Sequence, residues 1–351
     1  MKRLALLSLV FAAIVLSGCT INIGNSNNGG ADGGVFKSTT KGQNWQQLSL
    51  IPTTSGKPNT LAGLNASVLE IDPSDSSAIY YGGLENGLFY SYDGAESWQP
   101  VKQLQGMTIA AMAVDPKDKC TLYAAVGNRL VKSEDCNRTW EQVYYDNETE
   151  VSIMTVAIDH YDSQYVYIGT SRGDVILSSD AAVSWRTVAR LENPVKEVAV
   201  NPSDSRVVFA ATANKGLFRS RDKGENWESL ADRLQEFSDS TKFRDLYASK
   251  SNPGLVILAN DYGLIRSTDN GDSWASMKLI TPEKEAVITS VFASEHNANE
   301  IFYVTTTTFY GTSDNGENWA TRKLPSTRVG WLLREDPDHA GTLYLGVKQV
   351  N

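Results

Sequence analysis

The stretch STDNGDSW, residues 267–274, places a hydroxyl, two carboxylates, a glycine and a tryptophan within eight positions. Taken alone, such an octet could form a tight turn, a calcium-binding loop or the edge of an active site. Its pattern, Ser/Thr-x-Asp-x-Gly-x-x-Trp, recurs approximately at six other places. The other copies are STTKGQNW (38–45), SYDGAESW (91–98), SEDCNRTW (133–140), SSDAAVSW (178–185), SRDKGENW (220–227) and TSDNGENW (312–319).

The spacing of these octets predicts a ring of β-sheets. Successive octet tryptophans are 42–53 residues apart, and seven of the eight tryptophans in the chain occupy this position. A period of that length, built from strands, is typical of propeller blades. Two β-rich segments joined by a polar turn precede each later octet, as in VLEIDPSDSSAIYYGG, and a strand such as NWESL follows it. Each unit therefore predicts four short antiparallel strands.

The residue types explain the octet as a turn. Glycine at the fifth position supplies a conformation that other residues resist, while the Ser/Thr and Asp side chains can bond local amides. Copies that lack the glycine or the aspartate are predicted to form looser turns. A calcium loop is disfavoured because most copies have too few carboxylates. The residues assigned this structural role are Asp93, Trp98, Asp135, Trp140, Asp180, Trp185, Asp222, Gly224, Trp227, Asp269, Gly271, Trp274, Asp314, Gly316 and Trp319.

The repeat resembles the Asp-box, or bacterial neuraminidase, repeat of β-propellers over about residues 33–350. This resemblance implies that the octet hairpins lie on the face away from the ligand site. Single-ring relatives include sortilin-type receptors and photosystem II assembly factors, and the chain looks like both at the level of the repeat.

Counting the repeats predicts how the ring closes. Seven octet-bearing strand pairs begin at residues 33–50, whereas the seven preceding pairs begin at Val68 and end at residues 329–347. The first outer pair and the last inner pair should therefore combine into one blade. The prediction is an all-β, single seven-bladed propeller of four-stranded antiparallel blades over residues 35–351, with its N-terminal outer strand pair completed by the C-terminal inner pair.

The N-terminal sequence has the pattern of a targeting signal. Residues 1–19 contain a basic start, a short apolar run and then LSGC, which is typical of a secretory signal peptide. Its end resembles the lipobox of bacterial lipoproteins, which implies acylation of Cys19; an ordinary signal peptide is the alternative. Residues 20–34, rich in Gly and Asn, predict a flexible tether. A lipid-anchored, extracytoplasmic protein of the bacterial envelope is expected, in the outer membrane if the cell has two.

The charge and the cysteine content indicate which classes of partner and which cellular compartment to expect. The formal charge of −9 argues against a nucleic-acid partner, which requires clustered positive charge. With Cys19 lipidated, Cys120 and Cys136 remain and flank one predicted hairpin. A disulfide between them is predicted, and two buried thiols are the alternative.

Motifs for catalysis are scarce. The sequence shows no nucleophile elbow, zinc-ligand spacing or phosphate loop, and the three histidines fall in separate repeats. No cofactor or metal is expected, and enzymatic activity is left uncertain. Glu197 and Asp245 form the best carboxylate pair, at matching depths in adjacent inner strands. They would suit a glycosidase if they lay close together, but the preferred interpretation is that they line a wet channel.

Binding residues are expected opposite the octets, where second-to-third-strand turns and inter-blade loops meet. The residues assigned to this face are Arg129, Arg172, Asp174, Lys215, Asp261, Tyr262 and Phe309. By resemblance, the leading hypothesis is a membrane-anchored propeller that binds a protein or peptide, such as an assembly factor for an envelope complex. The alternative is a carbohydrate-binding or glycoside-hydrolysing propeller.

Overall fold

A computed structural model describes residues 31–349, and seven four-stranded antiparallel sheets dominate this range. The first strands along the chain are β1 (Gly34–Ser38), β2 (Gln46–Leu48) and a short pair, β3 (Leu50–Ile51) and β4 (Asn59–Thr60). Six consecutive blades follow. Blade 1 contains β5 (Ala66–Ile71), β6 (Ile79–Gly83), β7 (Gly87–Ser91) and β8 (Gln99–Pro100); blade 2 contains β9 (Ala111–Asp115), β10 (Asp118–Val126), β11 (Arg129–Ser133) and β12 (Glu141–Tyr145).

The remaining blades repeat this order. Blade 3 has β13 (Ile153–Ile158), β14 (Val166–Thr170), β15 (Asp174–Ser178) and β16 (Arg186–Arg190), and blade 4 has β17 (Val195–Val200), β18 (Val208–Thr212), β19 (Gly216–Ser220) and β20 (Glu228–Ser229). Blade 5 has β21 (Phe243–Ala248), β22 (Val256–Asn260), β23 (Leu264–Ser267) and β24 (Ala275–Ser276). Blade 6 has β25 (Ile288–Ala293), β26 (Ile301–Thr305), β27 (Thr308–Thr312) and β28 (Ala320–Lys323).

Both ends of the described chain build blade 7, as the repeat count predicts. Its strand order is β2–β1–β30–β29, with β29 at Val329–Glu335 and β30 at Leu343–Lys348. Strand β1 pairs antiparallel with β30, so that Phe36 lies opposite Leu345. Every innermost strand also contacts the innermost strand of the next blade, from β5 round to β29 and back to β5. The predicted closed seven-bladed ring is confirmed.

The core lies between the blades. Second strands such as β14 and β18 are buried along their whole length, because apolar β-branched and aromatic residues pack against neighbours on both faces. Tyr81 and Trp98 of blade 1 share one buried cluster with Tyr344 of blade 7. Burying an aromatic side chain in this way contributes about 2–3 kcal/mol. Fourth strands such as β28 are exposed.

Three short 3-10 helices are also present, at Leu61–Gly63, Lys102–Leu104 and Ala231–Leu234. Between residues 31 and 349, no helix has the length and apolarity needed to cross a membrane. The predicted signal peptide with Cys19, and almost all of the predicted tether, fall outside the described residues.

The octets form the turn between third and fourth strands, and the polar side chains of each octet make hydrogen bonds within that turn. In residues 267–274, Ser267 Oγ accepts the N–H of Gly271 at 2.7 Å, and Asp269 Oδ1 accepts the N–H of Ser273 at 2.9 Å. The Ser273 hydroxyl then donates to Asp269 Oδ2 at 2.6 Å. The seventh residue of the octet therefore also stabilises the turn, although the octet pattern leaves that position unspecified.

The prediction of looser turns in the variant octets was wrong. Ala182 stands where other copies have glycine, yet its φ is +74° and its N–H donates to Ser178 Oγ at 2.9 Å. Ala95 holds the same position in the second copy, with φ +75°. In the first copy Thr40 replaces the aspartate and accepts the N–H of Asn44 at 2.9 Å. These copies keep the turn and absorb backbone strain, because the surrounding hydrogen bonds determine the conformation.

Candidate functional site

The two faces of the ring differ in how their turns are held. In all seven blades the backbone N–H of the fourth octet residue donates to a carbonyl near the start of the second strand, as from Lys223 to Arg206 at 2.9 Å. The octets and the first-to-second-strand turns therefore share one face, called here the octet face. The opposite face, called the loop face, consists of the second-to-third-strand turns and the inter-blade loops. It is the face on which the sequence predicts binding.

The Cys120–Cys136 disulfide is present on the octet face. It spans the position where blade 2 makes the shared backbone hydrogen bond, from Cys136 N to the Cys120 carbonyl at 3.2 Å. The bond adds a covalent link to the octet whose fifth residue is Asn137, with φ +72°.

Two of the predicted loop-face residues are accessible. Arg129, at the start of β11, is exposed, and Lys215 in the turn before β19 has 46% of its side chain exposed and pairs with Glu192 at 3.3 Å. These two cations can meet a partner without breaking any contact to a buried group.

Arg172 and Asp174 belong to an ion network of blades 2 and 3. The guanidinium of Arg172 lies 2.9 Å from Asp146 Oδ2 and 2.6 Å from Asp174 Oδ2. Both carboxylates are buried, so removal of Arg172 would leave two charges without their partner. Arg172 is 40% exposed and can still contact a ligand through its outer edge.

The structure places Tyr262 and Phe309 in the interior. Tyr262 is 9% exposed, packs on Phe237 and donates its hydroxyl to Glu283 at 2.5 Å. Phe309 is 2% exposed because it lies on β27 and not in the preceding turn. Neither side chain is available to a ligand, which corrects their assignment to the binding face. Asp261 is partly exposed and pairs with Arg244 at 2.7 Å.

The innermost strands line a central channel, and a bulge in most of them aims side chains into it. The pairing register shifts within the first residues of β5, β13, β17, β21, β25 and β29. Such an extra residue re-aims the neighbouring side chains. Glu197 and Asp245 are at this bulge in adjacent blades, and both line the channel.

One of these carboxylates takes part in a series of hydrogen bonds between blades. Asp245 Oδ2 accepts the backbone N–H of Val291 at 2.7 Å. The hydroxyls of Thr155 and Ser290 accept the N–H groups of Val198 and Leu333 in the same way, at 3.2 Å each. Residues at one register position therefore join consecutive blades, which gives Asp245 a structural role.

Burial raises the pKa values of both acids. Desolvation, followed by the charge of Asp245, raises the pKa of Glu197 well above its usual range. Desolvation likewise raises the pKa of Asp245, although Arg334 and the Val291 N–H oppose it.

Two further channel residues, Glu70 and Arg334, were not found from the sequence. Both lie two positions before the turn aspartate of their strands, β5 and β29, and both line the channel. Burial raises the pKa of Glu70 to about 7, against the effect of Arg334. The signal that could have found them is a charged residue in a strand otherwise apolar, as in VLEID and WLLRE.

All three histidines lie in octet-face turns, and two of them contact the same residue, Asp336. His296 Nε2 contacts the Asp336 carbonyl at 3.1 Å, His339 Nδ1 lies 3.1 Å from Asp336 Oδ1, and His160 lines the channel. Within residues 31–349, no three His, Cys, Asp or Glu side chains are grouped closely enough to hold a metal ion.

Comparison with known proteins gives one family match. The model of the Sortilin-Vps10 family, described as sortilin, neurotensin receptor 3, matches residues 128–258. This range runs from the third strand of blade 2 into blade 5 and is less than half of the chain. No protein curated for function matches the chain by sequence.

Solved structures show the same ring. A GH74 xyloglucanase from Xanthomonas campestris has a TM-score of 0.64 at 16% identity, covering 87% of this chain and 52% of the enzyme. An ancestral GH74 enzyme has a TM-score of 0.60 at 16% identity, covering 82% of this chain and 41% of the enzyme. The chain thus spans about half the length of these enzymes. YCF48 bound to a D1 peptide has a TM-score of 0.63 at 13% identity, covering 86% of this chain and 95% of YCF48.

The chain is a seven-bladed propeller similar to sortilin and to YCF48. The expected resemblance to these two kinds of single-ring propeller is therefore confirmed. At these sequence identities the likeness to solved structures shows the fold, and the propeller's ligand has to be argued from its own residues.

Proposed function

We propose that this propeller is a lipid-anchored, extracytoplasmic scaffold that binds a protein or peptide segment at its loop face, over the mouth of the channel. The observation that carries the proposal is the difference between the faces. Octet-face side chains such as Ser267 and Asp269 make hydrogen bonds within their own turns. By contrast, Arg129 and Lys215 on the loop face are free of buried partners.

A peptide is the partner class supported by comparison. YCF48, which this propeller resembles along most of its length, has been solved with a D1 peptide bound. The channel favours binding over hydrolysis, because Asp245, one of its two candidate catalytic acids, already holds the next blade through a backbone hydrogen bond. A role in assembling an envelope complex would follow from such binding.

The anchor is inferred from the sequence. The LSGC pattern ending at Cys19 supports acylation there, with the Gly- and Asn-rich residues that precede β1 as a tether to the ring. Two acyl chains would hold the propeller stably at a membrane, and extracytoplasmic exposure is compatible with the Cys120–Cys136 disulfide.

Affinity capture of the tagged full chain from mild-detergent membranes, followed by mass spectrometry, tests this function. The double variant Arg129→Ala/Lys215→Ala should lose a stoichiometric protein partner. The matched control is Lys119→Ala/Arg206→Ala, which removes two exposed cations from the octet face. A partner that neither double variant loses, or the absence of any reproducible partner, would contradict the proposal.

A glycan-directed activity is the second candidate, favoured by the GH74 likeness and by two channel acids with raised pKa values. Such an acid can act as a proton donor in glycoside hydrolysis. Incubation with xyloglucan and related polysaccharides tests it: hydrolysis that Glu197→Gln or Asp245→Asn abolishes would favour the enzyme over the scaffold.

A further inference from the structure

The middle of the channel combines charges of both signs from four blades. A cavity of about 530 Å³ is lined by Glu70, Glu197, Asp245 and Arg334. A second space of about 330 Å³ adjoins it and shares the last three of these residues. A group that enters the channel must therefore pass this cluster.

The cluster contains three acidic side chains but only one basic side chain, that of Arg334. Arg334 lines the cavity together with three carboxylates, and its Nη1 donates to the carbonyl of Leu333 at 3.0 Å instead of to one of them. The pKa values of all three acids are raised by burial despite the arginine. Lys196 and Lys250 also line the cavity, but they lie at opposite ends of their strands, toward the two mouths.

The walls around the cluster are apolar. Val68, Met112, Met154 and Leu332 line the same cavity. Such walls suit a chain of methylene groups, and unbranched methionine side chains can adapt to its course. Since no three acidic or metal-binding side chains of the described residues converge on one point, the gap between the carboxylates suits an organic cation better than a metal ion.

We propose that the channel binds the basic side chain, lysine or arginine, of a peptide partner, with Glu197 and Asp245 beside the cationic head and the apolar walls around its stem. This inference rests on the proposed peptide-binding function and specifies the chemistry of the peptide. Arg334 opposes the bound cation and limits its affinity, so that only a group able to contact both carboxylates together is retained.

Calorimetric titration of the full chain in mild detergent tests this site. The probes are blocked heptapeptides of Gly and Ser that carry Lys, Met or Glu at the centre. The Lys peptide should bind at least about tenfold more tightly than the Met peptide, since a buried charged hydrogen bond has a free energy of that order. Glu197→Gln/Asp245→Asn should remove the preference, while the amide oxygen at position 245 keeps the hydrogen bond to the Val291 N–H. Arg334→Met should strengthen it.

Three results would overturn the inference: equal or unmeasurable binding of the Lys and Met peptides, tighter binding of the Glu peptide, or loss of Lys-peptide binding in Arg334→Met. Circular dichroism melting of each variant confirms that the ring is folded. Failure of the scaffold function is distinguishable, because the membrane capture depends on Arg129 and Lys215 and does not involve the channel acids. If the membrane capture yields a partner but the Lys and Met peptides bind equally, the channel site is refuted and the scaffold function is not.

Discussion

Asp245 Oδ2 accepts the backbone N–H of Val291 at 2.7 Å, across the boundary between blades 5 and 6. The residue that looks most like part of a catalytic pair is thus also a connector between repeats. Asp245→Ala would leave a buried amide unsatisfied, which costs about 1–3 kcal/mol, whereas Asp245→Asn keeps an acceptor. Urea unfolding should show Asp245→Ala to be clearly less stable than Asp245→Asn. Equal stability of the two variants would mean that the tie is energetically unimportant.

Glu70 should make the ring less stable as the pH rises. Its folded-state pKa is about 7, against 4.5 for an unperturbed glutamate, so the folded chain binds the proton more tightly. Its destabilising effect is absent below pH 4.5, grows between these values and is complete above pH 7. Glu70→Gln should therefore gain about 1 kcal/mol over the wild type at pH 8 after screening by channel water. Melting curves at pH 4 and pH 8 measure this, and an equal difference at both would refute it.

Ala182 holds a left-handed conformation that glycine adopts more easily. Its φ of +74° should make Ala182→Gly stabilising by up to about 1 kcal/mol. Ala210 is an internal control, because it lies in the buried strand β18, where glycine should destabilise by about 1 kcal/mol. Chemical denaturation of the two variants should give shifts of opposite sign; a loss of stability in both would show that the octet is not strained.

Phe309 should prove to be a core residue. It packs on Trp45 with ring centroids 5.8 Å apart and on Phe302 at the same separation. Phe309→Ala should therefore lower the free energy of unfolding by about 3–5 kcal/mol. Tyr161→Ala serves as the comparison, since Tyr161 is 58% exposed and its loss should have little effect. A small effect of Phe309→Ala in thermal unfolding would return this residue to the candidate binding face.

The disulfide should stabilise blade 2. Its cysteines are 16 residues apart, and closing a loop of this size contributes about 3 kcal/mol in the chain-entropy description. Cys120→Ser/Cys136→Ser should melt at a lower temperature than the oxidised protein, and a reductant should lower the melting temperature of the wild type alone. If the oxidised wild type and the double variant melt together, the disulfide has no stabilising role.

The sequence alone determined the number of blades, the four-strand unit and the closure by both chain ends, because these depend on period and alternation along the chain. It also singled out Glu197 and Asp245, since equal distances from successive turns place residues at equal depth. The fold class and the register of the repeat are local properties, and a repeated local pattern shows them clearly.

Only the tertiary structure decided what each site residue does. Tyr262 does lie in a turn, between β22 and β23, but packing on Phe237 buries it. Phe309 lies on β27 and not in the turn before it. Glu70 and Arg334, 264 residues apart in number, meet Glu197 and Asp245 because ring closure brings the innermost strands of blades 1, 4, 5 and 7 around one channel. Such convergence depends on curvature accumulated over all seven blades, which no single repeat contains. The charge imbalance of the channel arises from this closure.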